Sequence, residues 1–368
     1  MVLKRFEAKN FRNIKDCKID FYEGINLLVG KNAQGKTNVA EGIYLFSRGK
    51  SFRGREDGEL IRFGEMGFYT SVLYSSKKGD EKLEFSVYEK EKLRKKNGYK
   101  VNKVTEMINS FKCVLFVPDD LSLVKGGPEE RRNFLNVALS LCYEDYIKIY
   151  QGYKIALDNR NCILKNAKSG LYYNEEELLS WNVSLSEYAS HIYMMRKEYI
   201  KKIEGYAGKI LSDISSFCEN LEISYKSDIS NEIEDRNLIK EEYKRIFYQE
   251  IEKEISQGYT LYGPHREDIE IKINGVSARN YASQGQQRSI VLSLKLAEGE
   301  VINEFFGEYP VYIFDDVMSE LDGDRRKYIL SCCKERQIII TSCEAEDYTE
   351  YSTNIIEVKE GEYVSSRR

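Results

Sequence analysis

Eight consecutive residues near the amino terminus carry the pattern of a phosphate-binding loop. The pattern G-x-x-x-x-G-K-[ST] wraps backbone N–H groups around phosphates, directs a lysine at the β and γ oxygens and offers a hydroxyl to Mg²⁺. The lysine here is Lys36 and the hydroxyl is that of Thr37. The loop consists of Gly30, Lys31, Asn32, Ala33, Gln34, Gly35, Lys36 and Thr37. These residues predict a binding site for the phosphates of ATP.

The residues on either side of this loop predict the strand and the helix that such a site needs. The apolar run 25–29 is typical of a buried strand, and residues 38–46 can continue as a helix. The helix N-terminus then faces the phosphates, so Asn38 joins the candidate nucleotide-binding residues. A glycine-rich surface turn is the alternative, and this context disfavours it.

Two adjacent carboxylates follow a second fully apolar strand. We expect Asp315 to hold Mg²⁺ through water and Asp316 to lie beside the γ-phosphate, where it positions or deprotonates the attacking water. Lys36 and Asp316 are thus the candidate catalytic residues, and Thr37 and Asp315 the candidate metal ligands. Aspartates also commonly end a strand and begin a turn. The continuation Ser-Glu-Leu-Asp at 319–322 argues against that alternative.

A third segment, Ser283-Gln284-Gly285-Gln286-Gln287, opens an apolar-periodic helix ahead of the strand that carries Asp315. It resembles the signature loop of ABC-type ATPases, in which a serine and a glycine at a helix N-terminus bind the γ-phosphate held by the opposite subunit. On that resemblance Ser283, Gly285 and Gln286 bind the nucleotide of a second copy. By itself the motif is more often a plain helix cap, in which the serine satisfies free N–H groups.

Composition places the chain among ordinary globular proteins. It has 368 residues, 32% of them charged, and a formal net charge of −4. No apolar stretch approaches the roughly 20 residues that cross a membrane, and the first residues lack the apolar region of a signal peptide. These features predict a cytoplasmic location and no membrane partner.

The cysteines suggest neither disulfides nor a metal centre. There are eight, without a C-x-x-C pair, and only two histidines accompany them. We expect them to be small buried hydrophobic residues, and Cys332 and Cys333 are too close in sequence for a normal bridge. Mg²⁺ is the only metal that the sequence predicts.

The predicted secondary structure changes twice along the chain. The first 117 residues alternate short strand patterns with turns, helical patterns fill 129–165, 175–217 and 238–255, and strand patterns then return. The predicted fold class is α/β: an ABC-type P-loop ATPase head formed by residues 1–126 and 258–368, with a mostly helical lobe of residues 127–257 inserted. The helices show no sustained heptads, so a long coiled coil is not expected.

Two further stretches resemble the signatures of one family. Residues 118–135, PDDLSLVKGGPEERRNFL, are similar to the first signature of the RecF family, and residues 315–330 to the second. Asn10-Phe11-Arg12-Asn13 and Gly263-Pro264-His265-Arg266 are also similar to RecF. The resemblance covers residues 3 to about 342. Three positions differ from the patterns compared: Asn136 replaces the family's usual aspartate, Asp316 the glutamate of many ABC-type ATPases, and Thr341 the histidine of transporter switch loops.

The resemblance implies a weak ATPase that uses ATP as a switch for dimerisation. Two copies would close head to tail around two ATP molecules with Mg²⁺, on gapped or double-stranded DNA and without sequence preference, and slow hydrolysis would release them. The family further implies assistance in loading the RecA recombinase at single-stranded gaps, in DNA repair and at replication forks, with RecR and RecO as partners. Arg12 and Arg266 would add positive charge at the phosphates; an ordinary salt bridge is the alternative for both.

The negative net charge means that any DNA surface must be a local basic patch. Residues 90–103 hold seven basic residues against one acidic residue, with Tyr99 among them. A second candidate patch consists of Arg48, Lys50, Arg53 and Arg55. Each patch could instead be an ordinary solvated face.

Three other classes of protein share parts of this pattern. The nucleotide-binding subunit of a membrane transporter would use the same ATP residues, but the large helical insert and the missing Q-loop glutamine argue against it. An SMC-like head needs long arms that this chain lacks. A nucleotide kinase would leave the signature loop without a purpose.

Overall fold

The computed structural model describes residues 1–54, 56–89, 91–216, 218–331, 336–343, 353–359 and 362–367. The chain forms two compact units: residues 1–121, 213–217 and 288–368 make the first, and residues 122–212 and 218–287 make the second. This division differs from the expected one chiefly at residues 258–287, which group with the second unit. The reason is strand pairing, since Asp268–Ile273 pairs with Leu221–Lys226.

One sheet of the first unit is antiparallel. Its strands are β1 Val2–Phe11, β2 Ile14–Asp20, β4 Gly67–Ser76, β5 Gly79–Tyr88, β6 Glu91–Lys96 and β7 Tyr99–Lys100. They are arranged in the order β2-β1-β4-β5-β6-β7. The hairpin of β6 and β7 therefore lies at one edge of this sheet.

The other sheet of the first unit is mostly parallel. Its strands are β3 Ile25–Val29, β8 Cys113–Phe116, β12 Val311–Asp315, β13 Ile338–Ser342, β14 Thr353–Lys359 and β15 Glu362–Arg367. They are arranged in the order β15-β14-β3-β13-β12-β8, and only the β14–β15 pair is antiparallel. Because β13 pairs with both β3 and β12, the carboxyl ends of these three strands meet at one edge, where ligands of α/β sheets bind.

One helix packs against both sheets in the hydrophobic core of the first unit. The helices there are α1 Lys36–Arg48, α2 Val104–Ser110, α11 Gly323–Ser331 and, from Arg288 onward, α10 Gln284–Phe306. The apolar face of α1, including Val39, Ile43 and Phe46, packs in one cluster with residues of both sheets. Gly42 permits this close approach, because a Cβ there would lie 2.4 Å from Cζ of Phe6.

The second unit is mainly helical but contains a small sheet. Its helices are α3 Ser122–Lys125, α4 Pro128–Cys142, α5 Tyr146–Lys168, α6 Glu175–Ile214, α7 Arg236–Gln249, α8 Ile251–Gln257 and α9 Ala278–Tyr281. Strands β9 Leu221–Lys226, β10 Asp268–Ile273 and β11 Val276–Ser277 form an antiparallel sheet in the order β11-β10-β9.

Two buried arginines, Arg160 and Arg196, form hydrogen bonds and ion pairs in the interior of the second unit. Arg160 is fully buried; it pairs with Glu254 at 2.5 Å and donates to Oδ1 of Asn182 at 2.6 Å. Arg196 donates to Oδ1 of Asn136 at 3.1 Å, and the hydroxyl of Tyr146 donates to the same oxygen at 2.6 Å. The unusual Asn136 is therefore satisfied by two donors without a negative charge.

The elements differ from the sequence patterns in several places. The pattern 129–165 is two helices, since Asp145 stands at the N-cap position of α5. The pattern 238–255 divides at Glu250. Strands β6 and β9 were not predicted, although alternate residues of β9 are buried.

Three of the cysteines contradict the expectation of burial. Cys17, Cys113 and Cys142 are buried, but Cys162, Cys218 and Cys343 are exposed. Cys332 and Cys333 lie outside the described residues. The exposed three fall on helix surfaces and loops, where residue type alone does not determine burial. None of the described helices is both long and apolar enough to cross a bilayer.

Candidate nucleotide-binding site

The phosphate-binding pattern forms the turn between β3 and α1. Two of its residues have left-handed backbone conformations, Ala33 with φ 64° and Gly35 with φ 110°. A left-handed conformation is costly for alanine, and Asn13 holds it by donating from Nδ2 to Ala33 O at 3.1 Å. Gly35 has no such cost, and a Cβ there would lie 2.9 Å from the hydroxyl of Tyr363. The turn resembles an anion-binding nest of backbone N–H groups.

Lys36 is held inside this turn. Its Nζ donates to Gly30 O at 2.5 Å and to Lys31 O at 3.1 Å, and Cys343 Sγ lies 3.8 Å away. The side chain is only 4% exposed. The ammonium group is therefore positioned by the loop itself, at the start of α1, where the free N–H groups of the helix favour anions.

Thr37 and Asp315 come together across the parallel sheet. Thr37 Oγ1 donates to Asp315 Oδ1 at 3.1 Å, and Thr341 Oγ1 donates to the same oxygen at 2.8 Å. Burial raises the pKa of Asp315, and the negative charge of Asp316 raises it further, while the two threonine hydroxyls act in the opposite direction. A hydroxyl and a carboxylate at this separation are hard oxygen donors that fit Mg²⁺.

Asp316 differs from its neighbour in exposure and backbone conformation. It is exposed, with φ 55°, and its N–H donates to Thr341 Oγ1 at 2.9 Å. The left-handed conformation turns the chain sharply after β12, which ends with Asp315. Thr341 therefore holds the carboxylate of Asp315 through its proton and the backbone N–H of Asp316 through its lone pair.

A cavity of about 340 Å³ opens at this edge of the sheet, within the size range of ligand sites. It is lined by Asn13, Asn32, Ala33, Gly35, Lys36, Thr37, Asn38, Arg53 and Asp316. Three of the polar side chains are linked: Asn38 Nδ2 donates to Asn13 Oδ1 at 2.6 Å, and Arg53 Nη1 donates to Asn38 Oδ1 at 3.0 Å. The cavity thus combines backbone donors, two cations and one carboxylate.

Arg12 takes a different position from the one expected. Its guanidinium donates to both carboxylate oxygens of Glu41, at 3.0 and 2.6 Å, and to Glu59 O at 2.7 Å. Glu41 is fully buried in α1. The structure therefore places Arg12 in a salt bridge, which was the alternative interpretation. Arg266, in the second unit, lies over the ring of Tyr259 at 5.0 Å.

The signature segment lies at the start of α10, in the second unit. Ser283 Oγ accepts from Gln286 N at 3.2 Å, and Gln286 Oε1 accepts from Ser283 N at 2.9 Å. This reciprocal pair is a capping box. Ser283 is exposed, and the helix N-terminus is available to an outside anion. The observed geometry is therefore compatible with both interpretations, a helix cap and an anion-binding site.

Sequence reasoning missed three residues of the site: Asn13, Arg53 and Thr341. Asn13 belongs to the Asn-Phe-Arg-Asn stretch that resembled RecF, and Arg53 was assigned only to a possible DNA patch. Thr341 was noted only as a replacement for histidine. Its position at the end of β13, beside both β3 and β12, could have indicated its role.

The two basic patches have distinct surroundings. In the β6–β7 hairpin, Lys92 pairs with Asp57 at 2.6 Å, Lys96 pairs with Glu81 at 2.8 Å, and Arg94 lies over the ring of Phe85 at 4.9 Å. Tyr99 is 80% exposed. In the other patch Arg48 lies over Tyr44 at 5.9 Å, and Arg53 lines the nucleotide cavity. Lys90 and Arg55 lie outside the described residues.

Comparisons with known proteins identify the family of the chain. The family model described as RecF/RecN/SMC N terminal domain matches residues 2–365. The DNA replication and repair protein RecF of Clostridium novyi is 39% identical over 95% of both chains, and that of Clostridium tetani is 38% identical over the full length of both.

Solved structures show the same relationship. A structure of the recombination mediator protein RecF with ATP has a TM-score of 0.91 and 37% identity, and the match covers 100% of this chain and 97% of that one. An Smc head domain from Pyrococcus furiosus matches with a TM-score of 0.57 at 16% identity, which is a likeness of fold alone.

The fold and the site define an ATP-binding head of the ABC type, of the kind shared by RecF, RecN and SMC proteins. Within that class the chain belongs to the RecF family. The predicted fold class and the family resemblance are thereby confirmed. The transporter-subunit alternative is not supported, since the matching relatives are named as DNA replication and repair proteins.

Proposed function

We propose that the protein is an ATP-dependent DNA-binding protein of recombinational repair and replication-fork maintenance. The observation that carries the proposal is the convergence of Lys36, Thr37 and Asp315 at one cavity edge, with Asp316 exposed beside them. This arrangement supports binding of ATP with Mg²⁺, held by Thr37 directly and by Asp315 through water. The solved structure of RecF with ATP supports the same ligand.

Each site residue has a defined task in this proposal. Lys36 and the turn from Gly30 to Gly35 hold the β and γ phosphates, while Asn38 and the missed residue Arg53 complete the wall of the cavity. Mg²⁺ neutralises charge on the phosphates when it is bound. Asp316 positions the attacking water, and its short side chain fits a slow reaction, with turnover below about 1 s⁻¹ where typical enzymes reach roughly 10 s⁻¹.

ATP acts as a clamp between two copies. Ser283, Gly285 and Gln286 of one copy bind the γ-phosphate held by Lys36 of the other, in a head-to-tail dimer. Because ATP contacts both copies only in the closed dimer, binding shifts the population toward closure and hydrolysis reverses it. The exposed N-terminus of α10, with its capping box, supports this role.

DNA is the proposed partner of the closed dimer. Gapped or double-stranded DNA is bound through phosphates, without sequence preference. The β6–β7 hairpin supplies the contact, since Tyr99 is exposed and Lys100 lies beside it. By family membership, RecR and RecO are the proposed protein partners, and the loading of RecA at single-stranded gaps is the proposed outcome.

Complementation between two variants tests the shared site. Lys36→Ala removes the phosphate lysine, and Ser283→Arg blocks the partner's contribution. Neither variant alone should hydrolyse ATP in the presence of gapped DNA. In a mixed dimer one site has both Lys36 and Ser283 intact, so an equimolar mixture should regain part of the wild-type activity. If both variants fold and the mixture stays inactive, the arrangement across two copies is wrong.

A further inference from the structure

Tyr281 is an exposed aromatic residue two positions before Ser283, the serine of the signature segment. Its side chain is 73% exposed, and a single alanine separates the two residues. Lone exposed aromatic residues are ordinary on protein surfaces. This one differs in its location, because it lies beside the segment that the proposed clamp brings to the ATP of a second copy.

Hydrogen bonds hold the backbone on both sides of Tyr281. Ala278, the first residue of α9, is fully buried, and its carbonyl accepts from Ala282 N at 3.1 Å. The carbonyl of Ala282 in turn accepts from Nε2 of Gln287 at 2.7 Å. The Cα atoms of Tyr281 and Ser283 are at most about 7 Å apart. The point at which the tyrosine side chain leaves the backbone is therefore fixed relative to the signature serine.

The exposed surface around Tyr281 suits an anionic nucleotide. Arg279 and Asn280 are also exposed, and residues 278–287 contain one basic and no acidic side chain. The N-terminus of α10 follows within a few residues and favours anions. Phosphates can therefore approach this segment without meeting one of its carboxylates, while the tyrosine ring offers a flat apolar face.

The nucleotide cavity does not supply an aromatic face of its own. Of the described residues that line it, none is aromatic. A nucleobase has a flat π-face, and stacking of that face on an aromatic side chain stabilises binding. The base of a nucleotide whose phosphates lie in this cavity gains such a partner only from outside the cavity.

We propose that Tyr281 of one copy stacks on the adenine of the ATP held by the other copy. In the clamp, Ser283, Gly285 and Gln286 contact the γ-phosphate, and the base of the same nucleotide lies several bonds away, beyond the ribose. A side chain that begins two residues before Ser283 can span that step. The inference rests on the proposed clamp, and it makes closure depend on the base as well as on the triphosphate.

A thermodynamic cycle that removes the tyrosine ring and the base tests this contact. Dimerisation is measured by analytical ultracentrifugation in the Asp316→Asn parent, with Mg²⁺ and either ATP or ribose 5′-triphosphate, which has the same phosphates but no base. Each ligand is used at a concentration that saturates the monomer. Tyr281→Ala removes the ring and Tyr281→Phe retains it. Tyr172→Ala, which removes another exposed tyrosine of the second unit, is the matched control.

Loss of the base should weaken the dimer of the parent at least about tenfold, since a base stacked on an aromatic ring contributes about that much. Tyr281→Ala should weaken the ATP dimer to a similar extent, and it should then respond less than about threefold to loss of the base. Tyr281→Phe and Tyr172→Ala should behave like the parent. Thermal unfolding verifies that each variant is folded, and Tyr281→Leu replaces Tyr281→Ala if that variant is not.

A merely structural effect of Tyr281→Ala would weaken the dimers formed with both ligands equally, so that the dependence on the base would persist. That result, or a Tyr281→Ala dimer as tight as that of the parent, would overturn the inference and leave the clamp in place. If the parent forms no dimer with ATP, the clamp and the inference are both wrong.

Discussion

Thr37 Oγ1 donates a hydrogen bond to Asp315 Oδ1 at 3.1 Å, although 278 positions separate the two residues. The contact joins the start of α1 to the end of β12, through strands that pair on either side of β13. A hydroxyl and a carboxylate meeting at the carboxyl edge of a parallel sheet are what a Mg²⁺–nucleotide site requires. The predictions below test the residues around this contact.

Removing the hydroxyl of Thr341 should slow hydrolysis more than it weakens ATP binding. Thr341 Oγ1 donates to the carboxylate of Asp315 and accepts from the backbone N–H of Asp316, so Thr341→Val removes the support of the Asp315 carboxylate and of the Asp316 backbone. Residues that orient metal ligands typically contribute about 10- to 100-fold, and kcat should fall by that factor. Thr341→Ser retains the hydroxyl and should stay within about threefold of wild type. Equal loss in both variants would mean that the methyl group, not the hydroxyl, matters.

Arg12→Ala should destabilise the fold rather than weaken ATP binding. The substitution leaves the fully buried Glu41 without its bidentate partner, a change that typically costs about 3–5 kcal/mol. Urea unfolding should show that loss, whereas labelled ATP should bind the folded variant within about twofold of wild type. The double variant Arg12→Ala/Glu41→Leu should recover much of the stability. A large loss of ATP affinity with unchanged stability would show instead that Arg12 contacts the phosphates.

The protein should be less stable in mild acid than at neutral pH because of His265. Tyr153 donates to its Nδ1 at 2.6 Å, and its Nε2–H donates to Thr260 O at 3.1 Å. Burial lowers the pKa of His265 to about 4, below the value of about 6.5 in an unfolded chain. The neutral form is therefore preferred in the fold. Its contribution to stability is present above pH 6.5 and is lost as the pH falls toward 4.

Unfolding by urea at pH 7.5 and at pH 5 measures this effect. Between those values the wild type should lose about 2 kcal/mol through His265, and His265→Gln should lack that component. His191, the other histidine of the chain, is partly exposed on α6, and His191→Gln serves as the control. An unchanged pH dependence in His265→Gln would show that other groups produce it.

Substitutions in the β6–β7 hairpin should weaken DNA binding without altering ATP binding. Lys100→Glu and Tyr99→Ser change exposed side chains at the sheet edge. Each lost phosphate contact should lower the slope of log affinity against log salt by about 0.9. Lys92→Ala is the matched control, because its ammonium is already 2.6 Å from Asp57. Anisotropy of labelled gapped DNA across a salt series gives both slope and affinity, and wild-type slopes in both hairpin variants would exclude this patch.

The parts of the site that lie in local sequence were predictable. The run 25–29 is β3 with the same bounds, the turn and α1 follow it, and Asp315 ends β12 as its apolar strand indicated. These features depend on short patterns whose backbone geometry is set by neighbours in the chain.

Features that depend on distant partners were not predictable in the same way. From the sequence, Arg12 could have bound either phosphates or a carboxylate. In the structure it pairs with the carboxylate of Glu41, which is buried in α1. Asn136 had no assignable partner until Arg196 and Tyr146 were seen to share its oxygen. Strand β6 was not predicted because its residues are mostly charged and because it lies next to β7, the edge strand of its sheet.

The most direct test of the central claim is the mass of the protein in solution, measured by light scattering at moderate salt with Mg²⁺ and ATP. Asp316→Asn should bind ATP, hydrolyse it poorly and persist as a dimer, with and without gapped DNA, and should revert to monomer when ATP is removed. Adding Ser283→Arg to that variant should leave it monomeric while it still binds ATP. A monomer in every condition, or a Ser283→Arg dimer that forms normally with ATP, would contradict the account.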